Sequence, residues 1–126
     1  MSERLLLDTH ILIWLNSGNS RITKAVLARL REAEGVMYSA ASAWEIAIKQ
    51  SAGKLQPMQP LSAYAHAARI PELAVTTRHT ELAGNLPLHH RDPFDRMLVA
   101  QAMIENLTLV TADRQLKEYD VRSWII

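Results

Sequence analysis

The sequence predicts an α/β protein, with helices on both faces of a central parallel sheet in a three-layer α/β/α fold. Short apolar runs alternate with longer segments of helical periodicity along the chain, the pattern of repeated βα units. The first run, Leu5-Leu6-Leu7, is continuous rather than alternating, which fits a strand covered on both faces. Acidic residues then recur where strand-like runs give way to helix-like ones.

Taken in order, Arg4 to Leu7 forms the first strand, and Ile11 to Leu15 starts a helix that Asn16-Ser17-Gly18-Asn19 breaks. Ile22, Val26, Leu27 and Leu30 keep helical spacing and give a second helix ending near Gly35. Val36-Met37-Tyr38 is the next strand. Ser39 or Ser42 then caps a helix carrying Trp44, Ile46, Ala47 and Ile48, stopped around Gly53. Pro57 and Pro60 bound a turn, Leu61 to Ile70 reads as helix, and Leu73-Ala74-Val75 as a short strand. A helix follows from Arg78 to Gly84, then a loop from Leu86 to Arg91. Asp92-Pro93-Phe94-Asp95 opens a strong helix through Ile104, with proline at the favoured first helical position. Leu107 to Thr111 is a strand, Asp113 to Lys117 one helical turn, and Val121 to Ile125 a closing strand.

Composition bounds the function. The 126 residues fit one domain spanning the chain, large enough to bury a core without staples. No cysteine is present, which excludes disulfides and thiolate zinc sites. No apolar run approaches the roughly 20 residues needed to span a bilayer. Met-Ser-Glu-Arg leads directly into a strand-like run without a signal-peptide pattern, so a cytoplasmic protein is expected. A net charge of +1 argues neither for nor against nucleic acid.

Four acids stand beside apolar stretches: Asp8, Glu45, Asp95 and Asp113. An ionised carboxylate in apolar surroundings is costly unless paired, hydrogen-bonded or metal-bound. In an open parallel sheet, sites form where strands end at their carboxyl edge and helices begin. Asp8 follows the first strand, Glu45 lies in the first turns after Val36 to Tyr38, Asp95 opens a helix, and Asp113 follows Val110-Thr111. All four therefore fall towards one edge. Each also has a capping explanation: Ser42-Ala43-Trp44-Glu45 has a capping-box pattern, and Asp8, Asp95 and Asp113 stand at helix starts. Capping does not require four ends on one edge. Asp92, preceding Pro93, reads first as an N-cap and secondly as a carboxylate orienting water or a metal.

Gathered carboxylates without cysteine form a hard donor set that suits Mg²⁺ or Mn²⁺. Such a site holds a phosphodiester, acidifies water and stabilises a leaving oxygen. Arg91, Arg96 and Arg114 flank three of the acids and are candidate phosphate contacts, with Lys49 and Lys54 weaker ones. Taken singly, each of these cations reads better as a solvated surface residue. His89-His90 reads as the polar lip of a loop, and His10 as a partly exposed helix position bordering the site.

The segments Leu5-Leu6-Leu7-Asp8-Thr9-His10, Ser39 to Ile46, His90-Arg91-Asp92-Pro93-Phe94-Asp95-Arg96 and Leu109-Val110-Thr111-Ala112-Asp113 resemble those of the PIN-domain ribonucleases. More closely, they resemble the VapC-like toxins of type II toxin–antitoxin pairs. The four pieces, in order, span nearly the whole chain. The resemblance implies Mg²⁺- or Mn²⁺-dependent endonucleolytic cleavage of RNA, with Asp8, Glu45, Asp95 and Asp113 as catalytic metal ligands. It places the family's hydroxyl near the last acid on Thr111, and it implies a homodimer silenced by a cognate antitoxin. A phosphoacceptor receiver domain fits less well, lacking an acidic pair near the first strand and a lysine after the late one. A phosphatase with an Asp-x-Asp nucleophile is excluded by His10. A non-catalytic binding module of the same fold is the remaining alternative.

Overall fold

The computed structural model describes residues 3–126. Strands β1 (Arg4–Leu7), β2 (Gly35–Ser39), β3 (Glu72–Leu73), β4 (Thr108–Thr111) and β5 (Ser123–Ile125) are all parallel, in the order β3-β2-β1-β4-β5. From β1 the chain steps outwards through β2 to β3, then crosses back to place β4 on the other side of β1. That reversal makes the β1/β4 junction the switch point of the sheet, and a crevice opens beyond the carboxyl ends there. Leu7 lies opposite Val110 in the register, so the residues following each strand are neighbours.

The apolar run of β1 is explained by burial on both faces. Leu5 and Leu7 pack with Ile11, Leu12, Ile46, Leu61 and Val110, whereas Leu6 packs on the opposite face with Leu98, Val99, Leu109 and Leu116. Full burial of each leucine stabilises the fold by roughly 1.5–3 kcal/mol. Helices α1 (Thr9–Ser17), α2 (Lys24–Glu32), α3 (Ala40–Ser51) and α4 (Leu61–Ala68) contribute to the first face. Helices α5 (Thr77–Asn85) and α6 (Pro93–Glu105) cover the second. The three-layer expectation holds.

Several boundaries differ from the sequence reading for identifiable reasons. Helix α1 starts at Thr9 rather than Ile11, because the Asp8 side chain accepts the His10 N–H and caps it. It ends at Gly18, whose φ of 67° is the left-handed conformation that glycine adopts without strain. Ser39 caps α3, so the capping box proposed for Ser42 and Glu45 does not form. Strand β3 is only Glu72–Leu73, and the expected Ala74 and Val75 leave the sheet. The carbonyl of Ala74 turns instead to Gln101, and Thr76 caps α5 one residue after Val75. Among the described residues, no helix is long and apolar enough to cross a membrane.

Candidate metal centre

Asp8 is almost fully buried at the end of β1, where its backbone N–H continues the ladder to the Val110 carbonyl at 2.9 Å. Its Oδ1 accepts the His10 N–H at 2.7 Å and its Oδ2 accepts the Thr111 hydroxyl. Thr111 Oγ1 in turn accepts the Asp113 N–H at 3.0 Å, tying the ends of β1 and β4 together. Burial pushes the Asp8 carboxyl above its usual range, opposed by the hydrogen bonds from Thr111 and His10. The Thr111 hydroxyl is thus turned onto Asp8, the first acid, rather than left free in the cleft.

Asp92 is the N-cap of α6, accepting the N–H of Phe94 at 2.8 Å and of Asp95 at 3.3 Å through Oδ1. The cap fixes Asp95 in the first turn of α6, facing the same cleft as Asp8. Burial, together with the negative charges of Asp8 and Asp92, pushes the Asp95 carboxyl up to about 7; His90 opposes the rise. Asp113 caps the single 3₁₀ turn Arg114–Glu118, its Oδ1 accepting the Gln115 N–H at 2.9 Å. Its Oδ2 lies 2.8 Å from His90 Nε2, which is also 3.3 Å from Asp95 Oδ2. Donor atoms of His90, Asp95 and Asp113 all lie within 4.8 Å of one another.

Glu45 is buried on α3 and paired with Lys49, one helical turn later, at 2.9 Å through Oε2. Its Oε1 is buried with no hydrogen-bond partner. Ser42, one turn before it, accepts the Thr9 hydroxyl at 2.9 Å and locks α3 to the start of α1. The charge of Glu45 raises the carboxyls of both Asp8 and Asp95, which sets it in the same electrostatic neighbourhood.

A cleft of about 260 Å³ is lined by Asp8, His10, Trp14, Arg21, Asp95, Ala112 and Asp113. A larger cavity of about 570 Å³, lined by Leu27, Leu30, Val36, Tyr64 and Ile70 among others, contains none of the four acids. Three of the four acids, Asp8, Asp95 and Asp113, line the smaller cleft, and Glu45 is not part of its lining. The donor set fits a hard divalent cation: ligand atoms of Asp95 and Asp113 lie within 4.8 Å of one another, Asp8 lines the same cleft, and burial first, then the charges of its neighbours, pushes the Asp95 carboxyl up to about 7.

The cations divide. Arg96 is buried and is not a surface contact: Nη2 donates to the carbonyls of Ala83 and Leu86 at 2.9 Å each, and Nη1 to that of Pro87 at 3.0 Å. It ties α6 to the loop before it, so the phosphate role expected of Arg96 is overturned. Lys49 is engaged by Glu45, whereas Arg91 and Arg114 are exposed. Two functional candidates escaped the sequence reading. Arg21 stacks over Trp14, 4.6 Å from the ring centroid, and both line the cleft. His90 is not a loop lip but lies among the acids. Its signal was present in the His90-Arg91-Asp92 motif, but motif order does not reveal that residue 90 meets residue 113.

Fold and site together define an α/β protein with a carboxylate-lined cleft at the switch point of a parallel sheet. The chain belongs to the PIN domain family, whose profile matches residues 5–122, and it is VapC-like within that family. Ribonuclease VapC22 of Mycobacterium tuberculosis is 26% identical over 118 residues, covering 91% of each chain. Among solved structures, VapBC2 from Rickettsia felis bound to a promoter DNA fragment matches with a TM-score of 0.73 at 16% identity, over 96% of this chain and 97% of that one. DNA-bound VapBC from Salmonella typhimurium matches with a TM-score of 0.73 at 17% identity, over 98% of both chains. A toxin–antitoxin complex from Klebsiella pneumoniae matches with a TM-score of 0.69 at 17% identity, over 97% of this chain and 99% of that one. At these identities the structural matches bear on the fold.

Proposed function

We propose that this chain is a metal-dependent endoribonuclease and the toxin of a toxin–antitoxin pair, with residues 1–126 forming one nuclease domain. One observation carries the reading: acids from four separate segments converge, with Asp8, Asp95 and Asp113 lining one cleft and Glu45 near enough to raise the carboxyls of Asp8 and Asp95. Asp8, Asp95, Asp113 and Glu45 would hold Mg²⁺ or Mn²⁺, as an all-oxygen carboxylate set favours. When bound, such an ion neutralises charge on a phosphodiester and acidifies water.

The chain's own residues do the rest. Thr111 and the His10 N–H orient Asp8, and Asp92 sets the first turn of α6 that presents Asp95. Arg21, held over Trp14 in the cleft wall, is positioned to meet a phosphate, and Arg91 and Arg114 are exposed next to Asp92 and Asp113 in the sequence. RNA as substrate is supported by the ribonuclease relative at 26% identity. An antitoxin partner is supported by the toxin–antitoxin assemblies among the structural neighbours. Homodimerisation is supported by exposed apolar surface on α3, where Trp44 is 65% exposed and Ile48 42%. A cytoplasmic location goes with this reading.

Purified protein freed of any antitoxin should cleave single-stranded or loop RNA with Mg²⁺ or Mn²⁺ and not with EDTA. Asp8→Asn and Asp95→Asn should each lower cleavage by at least about 10²–10³-fold, the scale of losing one transition-state charge contact. Circular dichroism should show both variants folded. Robust EDTA-resistant cleavage by either variant sinks the assignment, and RNA binding without cleavage under any metal returns the non-catalytic binding module. Expression without a partner should arrest growth; harmless accumulation of active protein removes the toxin role alone.

A further inference from the structure

The loop before α6 carries a histidine whose ring is fixed more tightly than a surface loop requires. The His90 N–H donates to the Tyr119 hydroxyl at 3.0 Å, and its carbonyl accepts from Arg96 Nη1 at 3.4 Å. Tyr119 also donates to the Pro87 carbonyl at 2.8 Å, so the loop is anchored on both sides of the residue. The ring is then engaged at both nitrogens. The backbone N–H of Asp92 donates to Nδ1 at 3.1 Å, while Nε2 faces Asp113 Oδ2 at 2.8 Å and Asp95 Oδ2 at 3.3 Å.

An imidazole nitrogen beside two carboxylates invites assignment as a third metal ligand. The hydrogen bonding argues the other way. A backbone N–H can only donate, so Nδ1 must present its lone pair. In the neutral ring the proton then sits on Nε2, where the facing groups are both acceptors. Coordination through Nε2 needs the opposite tautomer, with Nδ1–H turned against the Asp92 N–H and that donor left unmatched. A metal-ligating histidine normally donates its other ring N–H to an acceptor; here that outer position is filled by a donor.

We propose that His90 is a positioning residue and not a ligand: its Nε2–H holds the Asp113 carboxylate in place, beside Asp95, for the cation. The assignment rests on the reading that these acids bind a divalent ion. Asp113 is then gripped at both oxygens, Oδ1 by the Gln115 N–H and Oδ2 by His90, so its orientation is set before an ion arrives. The same nitrogen stands 3.3 Å from Asp95 Oδ2, so its partial positive charge lies beside both acids.

The test uses the whole chain labelled with ¹⁵N-histidine, read by long-range ¹H–¹⁵N correlation in EDTA, then with Mg²⁺, then with Cd²⁺. Cd²⁺ is diamagnetic and softer, and so gives imidazole coordination its best opportunity. His90 should keep a protonated Nε2 and a lone-pair Nδ1 in all three. An Nδ1-protonated ring in EDTA overturns the proposal, as does loss of the Nε2 proton with either ion. Mg²⁺ calorimetry supplies a second readout. His90→Phe should weaken binding by about 10–100-fold, the usual effect of removing an orienting partner, and His90→Gln, which keeps an N–H donor, should restore most of it. A folded Gln variant as weak as the Phe variant overturns the proposal. A flat wild-type titration defeats the metal reading instead, and the EDTA tautomer still decides the role of His90.

Discussion

The two ends of α6 hold histidine–carboxylate pairs of nearly identical construction in different electrostatic settings. At the carboxyl end, His79 accepts the Thr76 N–H on Nδ1 at 3.0 Å and faces Glu105 Oε2 from Nε2 at 2.8 Å. At the amino end, His90 accepts the Asp92 N–H on Nδ1 and faces Asp113 and Asp95 from Nε2. Glu105 is a single, partly exposed carboxylate whose partner completes the capping box of α5. Asp95 is crowded by Asp8, Asp92 and Glu45. The hydrogen-bond pattern is therefore not what marks a site. Charge crowding is, because one end holds a single carboxylate against its histidine and the other gathers several.

The largest effect should come from loosening the amino end alone. Arg96 is a buried cation whose partners are all neutral oxygens, and it is what fixes the loop carrying His90. Arg96→Met keeps the stem but removes the side-chain donor to the carbonyls of Ala83 and Leu86, while Pro87 keeps its bond from the Tyr119 hydroxyl. Unsatisfied buried acceptors cost about 1–3 kcal/mol each, and a broken buried charge network about 3–5 kcal/mol. Urea unfolding should show a loss of about 3–5 kcal/mol on that basis. A loss under about 1 kcal/mol would mean that the loop is held by something else.

The second effect separates the ends by pH. The Asp95 carboxyl is raised from its usual 3.8 to about 7, so between these values the folded state keeps a proton that the unfolded state has released. Stability must then fall as pH rises through that window. The displacement is worth up to about 4 kcal/mol at about 1.36 kcal/mol per pH unit, and solvent screening at the cleft mouth reduces it to about 1–2 kcal/mol. Thermal unfolding in EDTA should show wild-type stability declining from about pH 4 to 7, a decline that Asp95→Asn flattens and saturating Mg²⁺ offsets. If Asp95→Asn leaves the slope unchanged, the crowding of the carboxylates does not act on stability.

Why the sequence revealed the acids and not their companions follows from the range of each interaction. Asp8 and Asp113 were legible because they stand one and two residues beyond strands whose parallel register brings their ends together. The competing cap readings of Asp8, Asp92 and Asp113 were also right, since each caps a helical start, and Asp8 and Asp113 do so while lining the cleft. Capping and function were not alternatives, because a cap at the carboxyl edge of a sheet is already at the site. Glu45 was legible as an acid on an apolar stretch, but its capping box was not real, since Ser39 begins the helix three residues earlier than Ser42. Arg96 was misread because its neighbours in sequence, Phe94 and Asp95, say nothing of the loop at Ala83 to His90 that folds over it. The shortened β3 has the same origin, a tertiary contact from Gln101 on α6 that takes the Ala74 carbonyl.

The smallest effect tests whether the two ends of α6 are independent. Glu105→Gln keeps an oxygen to accept the His79 Nε2–H and removes only a charge that is already 38% exposed. The difference between a charged and a neutral acceptor at such a place is about 0.5–1.5 kcal/mol, read as a small drop in the melting temperature. RNA cleavage should be unchanged, because none of the residues lining the cleft comes from the carboxyl end of the helix. A Glu105→Gln protein that lost cleavage while staying folded would mean that α6 couples its two ends. The contrast between a closed pair and an open one would then fail, since the charge at one end would be part of the balance at the other.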